Sequence, residues 1–254
     1  MIDLHCHILP MVDDGAENTR MALAMAEHCV KSGVNVVVAT PHCNLLGGRN
    51  NFRGREYEKV LGMFRALLRQ CHIPLTVLPG SELFTHPADV GRLLDGKKVM
   101  TLNRSRYLLA EFNFHAQGES ISRDLRQIAG RGYVPVVAHP ERYAAVQQEP
   151  RLVAQWFSQG YIIQLNKGSL LGRLGQGAHR CSLHLLQNGL AHVIASDAHN
   201  MSSRPPGFVS LLPLLRQLCP SEYVELLLEA NPRRIISDKP IPIVKYDRPQ
   251  GEIL

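Results

Sequence analysis

No two cysteines in this chain stand in a C-x-x-C pair: the six thiols, Cys6, Cys29, Cys43, Cys71, Cys181 and Cys219, are scattered over 254 residues. A dense disulfide framework is thereby excluded, and reduced thiols are expected. No uninterrupted apolar run approaches the roughly 20 residues of a membrane-spanning helix. The opening Met1-Ile2-Asp3-Leu4-His5 also lacks the basic segment and apolar stretch of a signal peptide. A cytoplasmic protein without membrane insertion is the expectation. Low-complexity stretches and short repeats are missing too, and 45% hydrophobic with 20% charged residues is the makeup of an ordinary globule, not of a disordered chain.

What is present is a net charge of +6. It suits anionic partners such as phosphates, acidic peptides or nucleic acid and does not choose among them. Part of the excess clusters in Arg49, Arg53, Arg55 and Lys59, which reads equally well as a solvated loop and helix face. Short β-rich apolar runs alternate with amphipathic stretches along the chain, the pattern of repeated βα units and a largely parallel sheet. Seven strands are expected: Ile2 to His5, Asn35 to Ala39, Leu75 to Pro79, Tyr107 to Phe112, Val134 to Ala138, Ile162 to Leu165 and Val193 to Ser196. Helices are expected over Thr19 to Lys31, stopped by Gly33, and over Tyr57 to Arg69, where apolar residues recur every three or four positions. The final third reads as mostly helical. One domain over residues 1–254 is expected, with Asp238 to Leu254, which holds three prolines, as an extended tail.

Periodicity alone does not separate a closed barrel from an open doubly wound sheet, but the polar residues do. His5 and His7 follow the first strand, His42 the second and Glu82 the third; Glu111 ends the fourth, His139 follows the fifth, and Asp197 with His199 follows the seventh. Side chains at the C-terminal ends of so many strands converge only if the strands form a ring, so a distorted (β/α)7 barrel is expected. His5-Cys6-His7 places two imidazoles on one side of a strand, where neutral imidazole is a common metal ligand. Alone, an H-x-H pair is weak. It gains from Asp13-Asp14-Gly15 downstream and from Ser196-Asp197-Ala198-His199 near the far end. Each residue singly could be a buried, hydrogen-bonded polar group, but five histidines and four carboxylates in one place are costly unless cations compensate them. Imidazoles mixed with carboxylates suit manganese, iron or zinc.

These residues resemble the polymerase and histidinol phosphatase (PHP) superfamily, and within it the bacterial tyrosine-protein phosphatases of capsule and exopolysaccharide biosynthesis. The resemblance rests on Met1-Ile2-Asp3-Leu4-His5-Cys6-His7-Ile8-Leu9-Pro10, Asp13-Asp14-Gly15, Thr40-Pro41-His42, Gly80-Ser81-Glu82, His139-Pro140-Glu141-Arg142, Gln164 to Gly172, Ser196 to Asn200 and Arg204-Pro205-Pro206. It implies a PHP-type barrel holding three divalent ions, manganese foremost, with iron, zinc or magnesium as alternatives. Carried over residue by residue, it implies one ion on His5, His7, Glu82 and Asp197. A second would sit on bridging Glu82, Glu111 and His139, and a third on Asp14, His42 and His199. Arg142 and Arg204 match the phosphate-binding arginines. The activity implied is attack of a metal-bound hydroxide on phosphotyrosine in a protein, a tyrosine autokinase of polysaccharide synthesis, and not on nucleic acid. No general acid is assigned, because a phenol of pKa about 10 leaves with little protonation.

Two rivals share the residues. His42-Cys43-Asn44-Leu45-Leu46-Gly47-Gly48-Arg49 spells the H-C-x5-R of thiolate phosphatases, but that motif needs a helix starting at its arginine, and no helical pattern begins before about Tyr57. The other rival keeps the metals and takes a small phosphomonoester such as histidinol phosphate.

Overall fold

The computed structural model describes residues 1–45, 51–85 and 90–242. Arg49, His86 and the tail beyond residue 242 lie outside the described residues. Nine strands occur among the described residues: β1 Ile2–Cys6, β2 Val36–Ala39, β3 His42–Cys43, β4 Thr76–Pro79, β5 Glu82–Phe84, β6 Tyr107–Glu111, β7 Val134–Ala138, β8 Ile162–Asn166 and β9 Val193–Ala195. All pair in parallel, in one sheet of order β1-β2-β4 and another of order β3-β5-β6-β7-β8-β9. This is a mixed α/β fold, as the alternation of apolar runs and amphipathic stretches requires.

The second and third expected strands are found as β2 and β4, and each is followed by a further short strand, β3 and β5, that was not expected. β2 breaks at Thr40-Pro41 before β3, and β4 at Gly80-Ser81 before β5, yet the register runs on from Ala39↔Pro79 to His42↔Glu82. Proline removes a ladder donor at the first break. At the second, a Cβ on Gly80 would stand 2.6 Å from Val38 Cγ1, so only glycine lets the two chains approach. The bends pass the chain from one sheet to the other and carry His42 and Glu82 onto the same site as the ends of β6 and β7. A parallel bridge between Cys6 and Ala198 ties the end of β1 to the segment after β9.

Helices cover the strands. Thr19–Lys31 starts where Asn18 Oδ1 accepts the Met21 N–H (2.9 Å) and stops before Gly33, whose φ of 78° suits glycine. Arg55–Gln70 buries Tyr57, Leu61, Phe64 and Leu68, one stripe at three- and four-residue spacing. Gly118–Ala129, Arg151–Ser158 and Gln176–Gln187 follow β6, β7 and β8 in the same way. The strands are buried on both faces and divide two cores: a large one under the helices, and a smaller one that includes Leu4, Val38, Tyr107, Leu109, Val136 and Ile162. Along β6 the period of two puts Glu111 on the face of Tyr107 and Leu109, so the apolar floor ends where the polar site begins. No helix among the described residues is long and apolar enough to cross a membrane.

Candidate metal centre

Six strand ends and one loop deliver ligand-type side chains to one place. His5 lies in β1 and His7 just past it; His42 opens β3, Glu82 opens β5 and Glu111 closes β6; His139 follows β7, Asp197 and His199 follow β9, and Asp14 comes from the loop after β1. Four overlapping groups each bring their ligand atoms within 4.8 Å of one another: His7, Asp14, His42 and His199; His5, His139 and Asp197; His5, His7 and Glu82; His42, Glu82 and Glu111. All nine residues named as candidate ligands meet here. The groups cut across the implied three-way partition, with His7 also joining the Asp14 group. Glu82 is central: Oε2 lies 3.2 Å from His5 Nε2, 3.3 Å from His7 Nε2 and 3.2 Å from His42 Nδ1, while Oε1 lies 3.1 Å from His139 Nε2.

Residues behind the ligands fix which imidazole nitrogens are bare. Gln164 Nε2 donates to Leu165 O (2.9 Å), which turns its Oε1 toward His5, so His5 Nδ1 donates to it (2.9 Å). His7 Nδ1 donates to Asp13 Oδ2 (2.6 Å), and His199 Nδ1 to Asp197 O (3.1 Å). With Nδ1–H so engaged, each of these three imidazoles in its neutral form presents the Nε2 lone pair to the site. The Nε2 atoms of His5 and His7 stand 3.2 Å apart beside the Glu82 carboxylate, and His42 Nδ1, 3.2 Å from Glu82 Oε2, is buried without a hydrogen bond. So many acceptors facing one another are stable only around positive charge. The donor set, imidazole nitrogen with carboxylate oxygen, fits divalent transition ions.

The electrostatics agree. Burial would raise Glu82, but the His5 and His42 imidazoles hold it well below the usual carboxylate range, whereas burial and the Glu82 and Asp197 carboxylates push Glu111 well above it. Burial works against a charged His7, yet Asp13 and Glu82 carry it well above the ordinary value. A site that pulls protons onto its ligands is one that attracts cations. Burial pushes His139 down to about 4, which leaves it neutral and able to bind an ion. His139 (φ 34°) and Asp197 (φ 49°) both adopt left-handed backbone, strain of a kind that clusters at functional sites.

Both predicted arginines line the same cavity of about 140 Å³. Arg204 Nη2 meets Asp197 Oδ2 at 2.5 Å, and Arg142 Nη1 lies 3.6 Å from it. The Arg142 guanidinium sits 4.3 Å above the Phe114 ring, a contact that supports its plane. Other expectations fall elsewhere. Cys43 is fully buried, and burial pushes its thiol up to about 12, so it is an inert thiol and not the low-pKa nucleophile that H-C-x5-R would need. The motif's Arg49 lies outside the described residues, and the next helix begins at Arg55. Arg53, Arg55 and Lys59 are exposed, as is His115, while His86 lies outside the described residues.

The sequence reading gave no role to Asp13, Gln164, Asn166 or Phe114. Asp13 fixes His7 and also accepts the His42 and Gly15 N–H groups (3.0 Å each), and the close turn needs Gly15, where a Cβ would stand 2.2 Å from His7 O. Asn166 Oδ1 accepts the Gly168 N–H (2.7 Å), which aims its Nδ2 at Asp197 Oδ2 (2.6 Å). Asp13, Gln164 and Asn166 stand inside motifs that carry the resemblance, Asp13-Asp14-Gly15 and Gln164 to Gly172, but nothing in the pattern assigned them a function.

The sequence model of the capsular polysaccharide synthesis family CpsB/CapC matches residues 1–237. Tyrosine-protein phosphatase YwqE of Bacillus subtilis is 36% identical over 204 residues, 80% of this chain and 79% of its own length. Tyrosine-protein phosphatase CpsB of Streptococcus pneumoniae is 30% identical over 247 residues, 94% of this chain and 99% of its own. A crystal structure from a set described as YwqE from Bacillus subtilis and CpsB from Streptococcus pneumoniae, unique metal-dependent tyrosine phosphatases, superposes with a TM-score of 0.86 at 30% identity, covering 99% of this chain and all of that one. The site built at the strand ends and a match that runs through nearly all of its motifs lead to one assignment: the chain belongs to the CpsB/CapC family of capsular polysaccharide synthesis.

Proposed function

We propose that the protein is a metal-dependent protein-tyrosine phosphatase, a phosphoric monoester hydrolase acting on phosphotyrosine in a cytoplasmic partner, a tyrosine autokinase of polysaccharide synthesis. The observation that carries this is the convergence of bare imidazole nitrogens and carboxylate oxygens on one cavity lined by two guanidinium groups. The names of the relatives, tyrosine-protein phosphatases of Bacillus subtilis and Streptococcus pneumoniae, support the substrate class. The chain is read as one domain whose seven strands, counting β2 with β3 and β4 with β5, ring the site in a distorted (β/α)7 barrel of the PHP type. The bridge from Cys6 to Ala198 supports that closure.

Three divalent ions, manganese favoured, are proposed: one on His5, His7, Glu82 and Asp197, one on Glu82, Glu111 and His139, and one on Asp14, His42 and His199. Such ions lower the pKa of water toward neutrality and offset charge on phosphoryl oxygens. The chain's own residues do the rest. Arg142 and Arg204 grip the phosphate as planar forks and stabilise the charge that shifts in the transition state. Asp197 Oδ2 holds both forks at the cavity edge, and Phe114 backs one of them. Glu82 and Asp13 keep the imidazoles aligned before substrate arrives, so little reorganisation remains at the reacting step. The general acid is left unassigned, since a phenolate needs less protonation on departure than an alkoxide. The test compares kcat/KM on a phosphotyrosine protein with that on histidinol phosphate. A preference for the phosphotyrosine protein is expected, and a preference for histidinol phosphate would move the enzyme to the small-molecule branch.

A further inference from the structure

Lys167 is an unusual residue to find inside a protein. It is 3% exposed, and burying an ammonium costs several kcal/mol unless it is well paired. Its Nζ donates to Pro205 O and to Gly207 O (2.8 Å), two carbonyls of the irregular segment that directly follows Arg204. The upstream flank of Arg204 is fixed independently: Asn200 Oδ1 accepts the N–H groups of Ser202 (3.0 Å), Ser203 (2.9 Å) and Arg204 (3.1 Å), and Arg204 O accepts the His199 N–H (3.0 Å). Among the described residues no other side chain hydrogen-bonds the 205–207 backbone. The neighbouring residue acts in parallel, since Asn166 Nδ2 holds the same Asp197 oxygen that Arg204 meets at 2.5 Å. The Asn166 N–H is itself held by Glu141 Oε1 (2.9 Å), next in sequence to Arg142. One short segment at the end of β8 therefore reaches the carboxylate and the loop of the second arginine, and is anchored on the turn of the first.

Taking Arg204 as a phosphate-binding residue, as proposed above, we infer that Lys167 is a positioning residue for phosphate recognition: its ammonium clamps the 205–207 backbone and so holds the Arg204 fork at the site. A shift of about 1 Å in a substrate-gripping group costs up to about a hundredfold. The fork grips bound phosphate before and during reaction, so most of the loss falls on binding and a smaller part on kcat.

The experiment is a double-mutant cycle on the metal-loaded enzyme, reading the inhibition constant of inorganic phosphate, KM and kcat for an aryl phosphate, and metal content. Lys167→Met is expected to raise the phosphate inhibition constant and KM by roughly tenfold or more, with kcat changed less and metal content intact. In an Arg204→Ala background the same substitution should add nothing, because the group it positions is gone. Additive effects in the two backgrounds would mean a general structural role and would overturn the inference. An Arg204→Ala variant that binds phosphate as the wild type does would instead sink the reading on which it rests. If Lys167→Met does not fold, Lys167→Gln, which keeps a donor of shorter reach, replaces it, and unchanged phosphate inhibition in that folded variant overturns the clamp.

Discussion

Glu82→Gln keeps the shape of the side chain and removes one negative charge from the middle of the site. The residue is 1% exposed, and its two oxygens lie within 3.1 to 3.3 Å of nitrogens from His5, His7, His42 and His139. Taking one partner out of a buried charge cluster costs about 3–5 kcal/mol. At 1.4 kcal/mol per factor of ten, that is roughly two to four decades of metal affinity. Glu82 belongs to two of the four close groups, so more than one ion should be lost from each chain. Elemental analysis of the variant after dialysis against a fixed free manganese concentration, beside the wild type, reads this directly. Retention of the full complement, or loss of a single ion with the others bound as tightly as before, would refute the bridging role.

Two further outcomes follow from residues outside the ligand set. Cys43→Ser should retain most of the activity, because the thiol is buried and raised to about 12; abolished turnover at unchanged metal content would mean that a thiolate attacks. His192 is buried, accepts the Ile163 N–H on Nδ1 (3.0 Å), stacks 4.4 Å from Phe157 and is pushed down to about 4 by burial. Its folded pKa lies below the unfolded value of about 6.5, so the unfolded chain binds the extra proton. The contribution is complete above pH 6.5 and about 3 kcal/mol is lost as pH falls toward 4. Urea unfolding from pH 7 to 4 should show that loss in the wild type and less of it in His192→Asn, and equal slopes would show that burial does not depress the His192 pKa.

Much of this was legible in the sequence where one local rule decides. Thr19–Lys31 has its asparagine cap and its glycine stop, and Val134–Ala138 is an apolar run with clear ends. The nine ligand candidates could be named because polar residues at strand ends stand out against apolar runs. The broken strands were not legible: Thr40-Pro41 and Gly80-Ser81 look like strand ends, and only the pairing of His42 with Glu82 reveals that each chain re-enters a sheet. Neither was the division of labour between Asp13 and Asp14. Adjacent carboxylates carry no mark of which one faces inward, and the loop puts Asp13 behind His7 and Asp14 between His42 and His199. Lys167 was hidden for a similar reason, since its partners are backbone carbonyls about 40 positions away, and no side-chain pattern encodes them.

The central claim is that turnover of phosphotyrosine requires cations held by these imidazoles and carboxylates. The direct measurement is hydrolysis of a phosphotyrosine peptide by purified protein that has been stripped with a chelator, freed of it, and then titrated with manganese, iron, zinc or magnesium. Activity that vanishes on stripping and returns with about three ions bound per chain is the predicted result. Full activity in protein whose metal content is at background would contradict the account.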